Sequence, residues 1–160
     1  MPETEKLASF RLFNIMILQK AFDFRNPELS KIQDIRAHEF SFDFSIGILP
    51  PTPQPFVALI TTTRIFLEKE KNNYLGSIDI GTSFEITNYE QLFSDGKLFI
   101  PDEMLYTFIT TVIGNTRGIL FGELQATPLQ NVYLPLIQTK QIMDDLKKSM
   151  PIQEVKIVTK

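Results

Sequence analysis

Three short stretches hold residues whose types and spacing could do chemistry. His38-Glu39 sets an imidazole beside a carboxylate, the couple used for proton transfer near neutral pH. His38 is the sole histidine of the chain, and a lone histidine at the start of a strand is read as a surface or structural residue. Asp144-Asp145 offers two carboxylates, but adjacent residues on a helix do not face each other, and the flanking lysines mark a solvated helix face. Gly114-Asn115-Thr116-Arg117-Gly118 has the small residues of a phosphate loop. It lacks the Gly-Lys-Ser/Thr of a P-loop and does not open a helix after a strand. With no cysteine in the chain, a metal would need carboxylates alone, and Asp and Glu nowhere cluster at ligand spacing. The sequence therefore predicts no catalytic centre, no metal and no cofactor. It predicts a protein that binds other chains and is not an enzyme.

Composition narrows the partner. The 160 residues are 43% hydrophobic, with 14 Phe and no Trp, which is enough to bury a core in one domain over residues 1–160, with its folded part at about 10–150. The lack of cysteine fits a reducing compartment. The start Met1-Pro-Glu-Thr-Glu-Lys-Leu has neither the basic start nor the apolar run of a signal peptide, so a cytoplasmic location is expected. Apolar stretches are interrupted by Thr, Asn and Arg before they reach the ~20 residues of a membrane span. Sixteen basic residues against nineteen acidic ones, without a basic cluster, leave little to neutralise a phosphate backbone. Neither nucleic acid nor membrane insertion is expected.

The elements follow from periodicity. Phe10 to Phe24 reads as a long strand that is apolar on both faces in its first half, with Leu12, Met16 and Leu18 on one side and Phe13, Ile15 and Ile17 on the other. Asn26 to Ala37, with Pro27, reads as an extended crossover. Phe40, Phe42, Phe44, Ile46 and Ile48 alternate with Ser41, Asp43, Ser45 and Gly47, the pattern of a half-buried antiparallel strand. The prolines between Pro50 and Pro55 exclude a central strand and close a hairpin. Phe56 to Leu67 and Tyr74 to Thr87 form a second hairpin across the polar turn Glu68 to Asn73. After Pro101 the period changes: Met104, Leu105, Phe108, Ile109, Val112 and Ile113 make one helical stripe, with Asp102 and Glu103 favouring its N-terminus. Gly118, Gly122 and Pro128 predict an irregular connection to Ile137. A second helix spans about Thr139 to Met150, with Ile142, Met143, Leu146 and Met150 on one face. Strands followed by helices define an α+β fold.

A strand greasy on both faces, a Met-bearing second helix and the apolar loop Val132 to Ile137 exceed what one thin sheet layer can hide, so a partner surface is implied. The order of elements resembles the SecB family of export chaperones over residues 10 to 150. The resemblance rests on Phe22-Asp23-Phe24 before Asn26, on the run Leu75 to Ile86 through Gly81 to Phe84-Glu85-Ile86, on Thr116-Arg117-Gly118, and on Tyr133-Leu134-Pro135-Leu136-Ile137. It implies a four-stranded antiparallel sheet with two helices on one face, assembled as a homotetramer, a dimer of dimers. The implied interface is the opening strand (Leu12, Phe13, Ile15, Met16, Ile17) and the first helix (Leu105, Phe108, Ile109, Val112).

The resemblance further implies that unfolded or precursor polypeptides are held without ATP in apolar grooves. The matching positions are Ile32 and Ile35 in the crossover, Val132, Tyr133, Leu134, Leu136 and Ile137 in the loop, and Ile142, Met143 and Leu146 in the second helix. Replacing Leu134 and Leu146 by Asp is accordingly expected to weaken client binding with the fold intact. The family docks the SecA motor through an acidic patch and a C-terminal tail. Here Asp23 is present, Ser77 stands at the acidic position of the fourth strand, and the ending Glu154 to Lys160 departs from that tail, so only part of a SecA site is matched. Protein export, service to a single antitoxin or other fixed partner, and carriage of an apolar small ligand are the competing functions. A groove open to solvent favours the first two, and an enclosed cavity favours the third.

Overall fold

The computed structural model describes residues 9–25, 27, 29, 40–50, 52–67, 74–94 and 97–149. Two-residue alternation builds its sheet. Strands β1 (Ser9–Phe22), β2 (Phe40–Ile48), β3 (Phe56–Leu67) and β4 (Tyr74–Thr87) pair antiparallel in the order β1-β4-β3-β2. In β3 and β4 every second side chain is buried, among them Val57, Leu59, Ile65, Ile78, Ile80, Phe84 and Ile86. This inner face carries the core and the outer face stays open, so the α+β fold expected from the sequence is the one observed.

β1 is an edge strand and departs from regular pairing twice. Register shifts between Leu12 and Asn14 and between Ile17 and Gln19 leave Phe13 and Leu18 as extra residues against β4. Such bulges bend an edge strand and re-aim its side chains. Phe13 lies against Phe56, with ring centroids 4.7 Å apart, and Leu18 lies over Gly81, where an added Cβ would sit 3.3 Å from Leu18 Cδ1. At the far end of the pair Gly76 has φ +156°, and a Cβ there would meet the Ala21 carbonyl and the Phe22 ring. Only glycine serves this crossing.

Beyond β4 come a 3₁₀ turn (Tyr89–Leu92) and a two-residue ladder of β5 (Phe93–Ser94) with β6 (Lys97–Leu98), neither of which is expected from the sequence. Tyr89 is buried there; desolvation raises its phenol pKa above the ordinary value, and its hydroxyl donates to the Thr52 carbonyl at 3.3 Å.

Helix α1 (Asp102–Leu124) lies on the inner face and runs well past the irregular connection expected after Gly118. The buried stripe explains the difference. Thr116, Leu120 and Leu124 continue it at four-residue spacing, whereas Gly114, Gly118 and Gly122 face outward, with nothing within 4 Å of a Cβ built on them. Each exposed glycine costs about 1 kcal/mol relative to alanine, and each buried leucine contributes ~1.5–3 kcal/mol. Burial wins. The helix stops where Ala126 takes a left-handed φ of 58°, and Thr127 Oγ1 donates to the Leu124 carbonyl at 2.6 Å while accepting from the Leu129 amide at 3.1 Å. Helix α2 (Thr139–Ser149) follows close to its expected bounds, tied to the start of α1 by Lys147 Nζ and Asp102 Oδ1 at 2.6 Å.

The core between sheet and helices falls into two apolar clusters. One gathers Leu59, Phe84, Phe108, Ile109 and Leu146 around the start of β3 and of α1. The other gathers Ile65, Leu75, Ile80, Leu120, Leu129 and Val132 around the end of α1. Between them runs a belt of fully buried threonines: Thr61, Thr63, Thr82 and Thr116. Thr61 and Thr116 share a 2.8 Å hydroxyl hydrogen bond that joins sheet to helix, and Thr116 also donates to the Val112 carbonyl. The hydroxyls of Thr63 and Thr82 find no partner among the described residues.

Burial corrects half of the expected oligomer interface. Leu105, Phe108, Ile109 and Val112, expected at an oligomer interface, are spent inside the protomer, where Phe108 stacks on Phe84 at 4.2 Å. The helix side that remains in solvent carries Tyr106, Thr110, Gly114, Gly118 and Phe121 instead. The opening strand is the reverse case: Leu12, Phe13, Met16, Ile17 and Leu18 are all exposed, and Ile15 is half-buried.

Candidate functional site

The end of α1 and the loop after it build a groove. The helix supplies Arg117 and Phe121, which share one side at four-residue spacing. The loop supplies Val132, Tyr133, Leu134, Pro135 and Leu136, and β2 supplies Phe40 and Phe42 from its inner face. The volume enclosed is about 500 Å³, and apolar atoms dominate the walls. Val132, Leu134 and Phe40 are buried and form the floor, as members of the second core cluster. Phe121 and Tyr133 stack at 5.8 Å with ring planes 19° apart, each about half exposed. Leu136 is 90% exposed and stands at the rim.

The loop is held in place by a cation. Arg117 Nη2 donates to the Pro135 carbonyl at 2.5 Å, which fixes the loop wall to the helix. Arg117 Nε is buried without an acceptor among the described residues. Ion pairs among the described residues join Arg11 to Glu85, Lys20 to Glu123, Lys147 to Asp102 and Lys148 to Asp145, so Arg117 has no carboxylate partner among them. Glu123, the next acidic residue along α1, is six positions on, outside the three- or four-residue spacing of a helical pair, and is engaged by Lys20 at 2.5 Å.

The ten positions matched to a client site separate into three groups. Val132, Tyr133, Leu134 and Leu136 come together in the groove, and Ile137, half-buried beside them, packs against both core clusters. Ile142, Met143 and Leu146 do not join the groove: they turn inward onto the first cluster, with Leu146 only 5% exposed. Ile32 and Ile35 lie outside the described residues, as does His38. Leu134, at 7% exposed, lines the groove as a member of the second core cluster. Replacing Leu134 and Leu146 by Asp therefore strikes core and not an exposed surface, which corrects the expectation that the pair spares the fold.

Phe40, Phe42, Arg117 and Phe121 are groove residues to which the sequence reading gives no part in client binding, although Arg117 stands in a motif of the resemblance. The first two alternate as members of a core face, and alternation does not tell whether a helix covers all of that face. Phe121 falls in the stretch where glycines predict an irregular chain; the spacing Thr116, Leu120, Leu124 is the signal that places it on a helix. Among the described residues no group of three or more His, Asp or Glu is placed to hold a metal ion, and no helix is long and apolar enough to cross a membrane.

No protein-family model matches the chain, and no curated protein matches it in sequence. Among solved structures it is similar to the SecB-like chaperone Rv1957 of Mycobacterium tuberculosis, determined in complex with a ChAD peptide from the Rv1956 HigA1 antitoxin. That similarity covers 81% of this chain and 90% of that one, at 10% identity and a TM-score of 0.48. A second similarity, to a protein of unknown function from Streptococcus agalactiae, covers 82% and 99% of the two chains at 11% identity and a TM-score of 0.38.

Proposed function

We propose that this chain is a SecB-like chaperone that holds other polypeptides in extended form in the groove beside Arg117, without nucleotide and without chemical turnover. One observation carries the reading. The apolar groove is open along Tyr133, Leu136 and Phe121, so it can accept a strand of chain that enters and leaves, which an enclosed ligand cavity could not. Its recognition is mostly non-directional: burial of apolar surface is worth ~25 cal/mol per Å² whatever the sequence buried, so many clients fit.

Self-association belongs to the same reading. The exposed side chains of β1 are to be covered by a second copy, giving a homo-oligomer, most simply a tetramer, that offers several grooves to one client. Weak sites on one particle then add by avidity. Whether the clients are exported precursors or one dedicated antitoxin is a matter of what reaches the groove, and SecA coupling would have to work with Asp23 and without an acid at Ser77.

The test is suppression of aggregation. Several unrelated denatured proteins are diluted into buffer with and without the purified chain, in the absence of nucleotide, and turbidity is followed. The reading expects suppression for most of them near stoichiometric ratios. If none is suppressed, general holding is excluded; suppression of a single one would assign the chain to a fixed partner.

A further inference from the structure

Among the described residues the groove carries one charged side chain, and no opposite charge pairs with it. Apolar walls lower the local dielectric and strengthen any ion pair formed against them. Arg117 is therefore an unusual wall residue: a guanidinium with five N–H donors, of which one is used on the Pro135 carbonyl and Nε is buried without an acceptor among the described residues. The ion pairs of the described residues all lie elsewhere, and none reaches Arg117.

Resting on the reading of the groove as a polypeptide site, we propose that Arg117 selects clients that present a carboxylate, an Asp or Glu side chain flanked by apolar residues, within the extended segment lying between Phe121, Tyr133 and Leu136. The aromatic pair and Leu136 take the flanking apolar side chains, and the guanidinium takes the carboxylate through charge-assisted hydrogen bonds. The groove then does not treat all greasy segments alike. It discriminates by a single charge placed among apolar neighbours, and acidic-apolar segments outcompete neutral or basic ones of equal hydrophobic area.

The test uses the full-length chain and two fluorescent peptides of identical extended apolar-aromatic sequence, one with a central Glu and the other with Gln at that place. Anisotropy titrations at low ionic strength should show the Glu peptide binding roughly tenfold tighter, with the gap narrowing as salt is added. Arg117→Met should bring the two peptides to within about twofold of each other. Arg117→Lys should keep part of the preference, because it retains the charge but not the planar fork. Circular dichroism monitors both variants; should Arg117→Met unfold through loss of the Pro135 contact, the native peptide pair and Arg117→Lys decide the matter.

Equal affinity for the two peptides on the native chain overturns the proposal while leaving the groove as a client site. A preference that survives in Arg117→Met places the carboxylate elsewhere and also overturns it. Binding of neither peptide overturns the proposal and the chaperone reading together. Both fall as well if light scattering shows that a second copy of the chain fills the groove and excludes both peptides, or if only an apolar small molecule binds there.

Discussion

The open strip of β1 and the groove at the end of α1 are both apolar and both in solvent, yet they are made of different material. The strip is strand backbone paired to β4 except at two bulges, with Leu12, Phe13, Met16, Ile17 and Leu18 exposed along it. The groove wall from Val132 to Leu136 is non-repetitive chain, pinned to the helix through the Pro135 carbonyl. The strip carries no charge between Leu12 and Gln19, whereas the groove has Arg117. An uncharged strip on a sheet-paired strand suits a surface of matching shape that never leaves, such as a second copy of itself. A concave wall with one charge suits a guest whose side chains vary. Hydrophobicity alone does not separate a permanent interface from a transient one; the backbone beneath it and the charge within it do.

The largest effect expected lies beneath both surfaces. Leu134→Asp or Leu146→Asp should destabilise by about 4 kcal/mol or more, since each buries a carboxylate in place of a packed side chain. Urea unfolding followed by circular dichroism measures it, and a midpoint unchanged by either variant would mean that these side chains are surface after all. Next comes assembly. Met16→Asp combined with Leu18→Asp should reduce the particle to the 18.4 kDa monomer while peptide affinity per groove is retained. Static light scattering across micromolar concentrations checks this, and a native chain already monomeric there would remove the contrast between strip and groove.

A smaller effect belongs to the rim. Tyr133→Ser with Leu136→Asp should weaken client peptides by about tenfold or more, with unfolding free energy within ~0.5 kcal/mol of native and unchanged assembly mass. Loss of mass in that variant would merge the two surfaces into one. The smallest effect is in the threonine belt. Thr63→Val replaces an unpartnered buried hydroxyl by a methyl of the same shape and should stabilise by ~1 kcal/mol, read as a higher urea midpoint. A lower midpoint would reveal that the Thr63 hydroxyl is satisfied.

Much of this contrast is legible in the sequence, for reasons that can be named. Strand β2 is legible at its observed bounds because Phe and Ile alternate without a break from Phe40 to Ile48, and Pro50 ends the run. β1 is apolar on both faces in sequence, a pattern that an edge strand with two bulges preserves. What escapes are decisions that depend on tertiary cover. Glycine at Gly118 and Gly122 argues against a helix locally, and only burial of Leu120 and Leu124 overrules it. The faces of Leu105, Phe108 and Leu146 are apolar in sequence whether they meet the sheet of the same chain or another copy. Periodicity shows that a face is greasy and is silent on what covers it.

The threonine belt has a consequence for how this protein can change over generations. Among the described residues, Phe44 and Ile137 pack against both core clusters, while the remaining core side chains belong to one or the other. Substitutions in separate clusters share few neighbours, so their costs should add nearly independently, within ~0.5 kcal/mol. The groove floor, with Val132 and Leu134, draws on the second cluster, while the hairpin end and α2 draw on the first. A lineage can therefore reshape its floor for a new guest and leave the opposite half of the molecule as it was inherited.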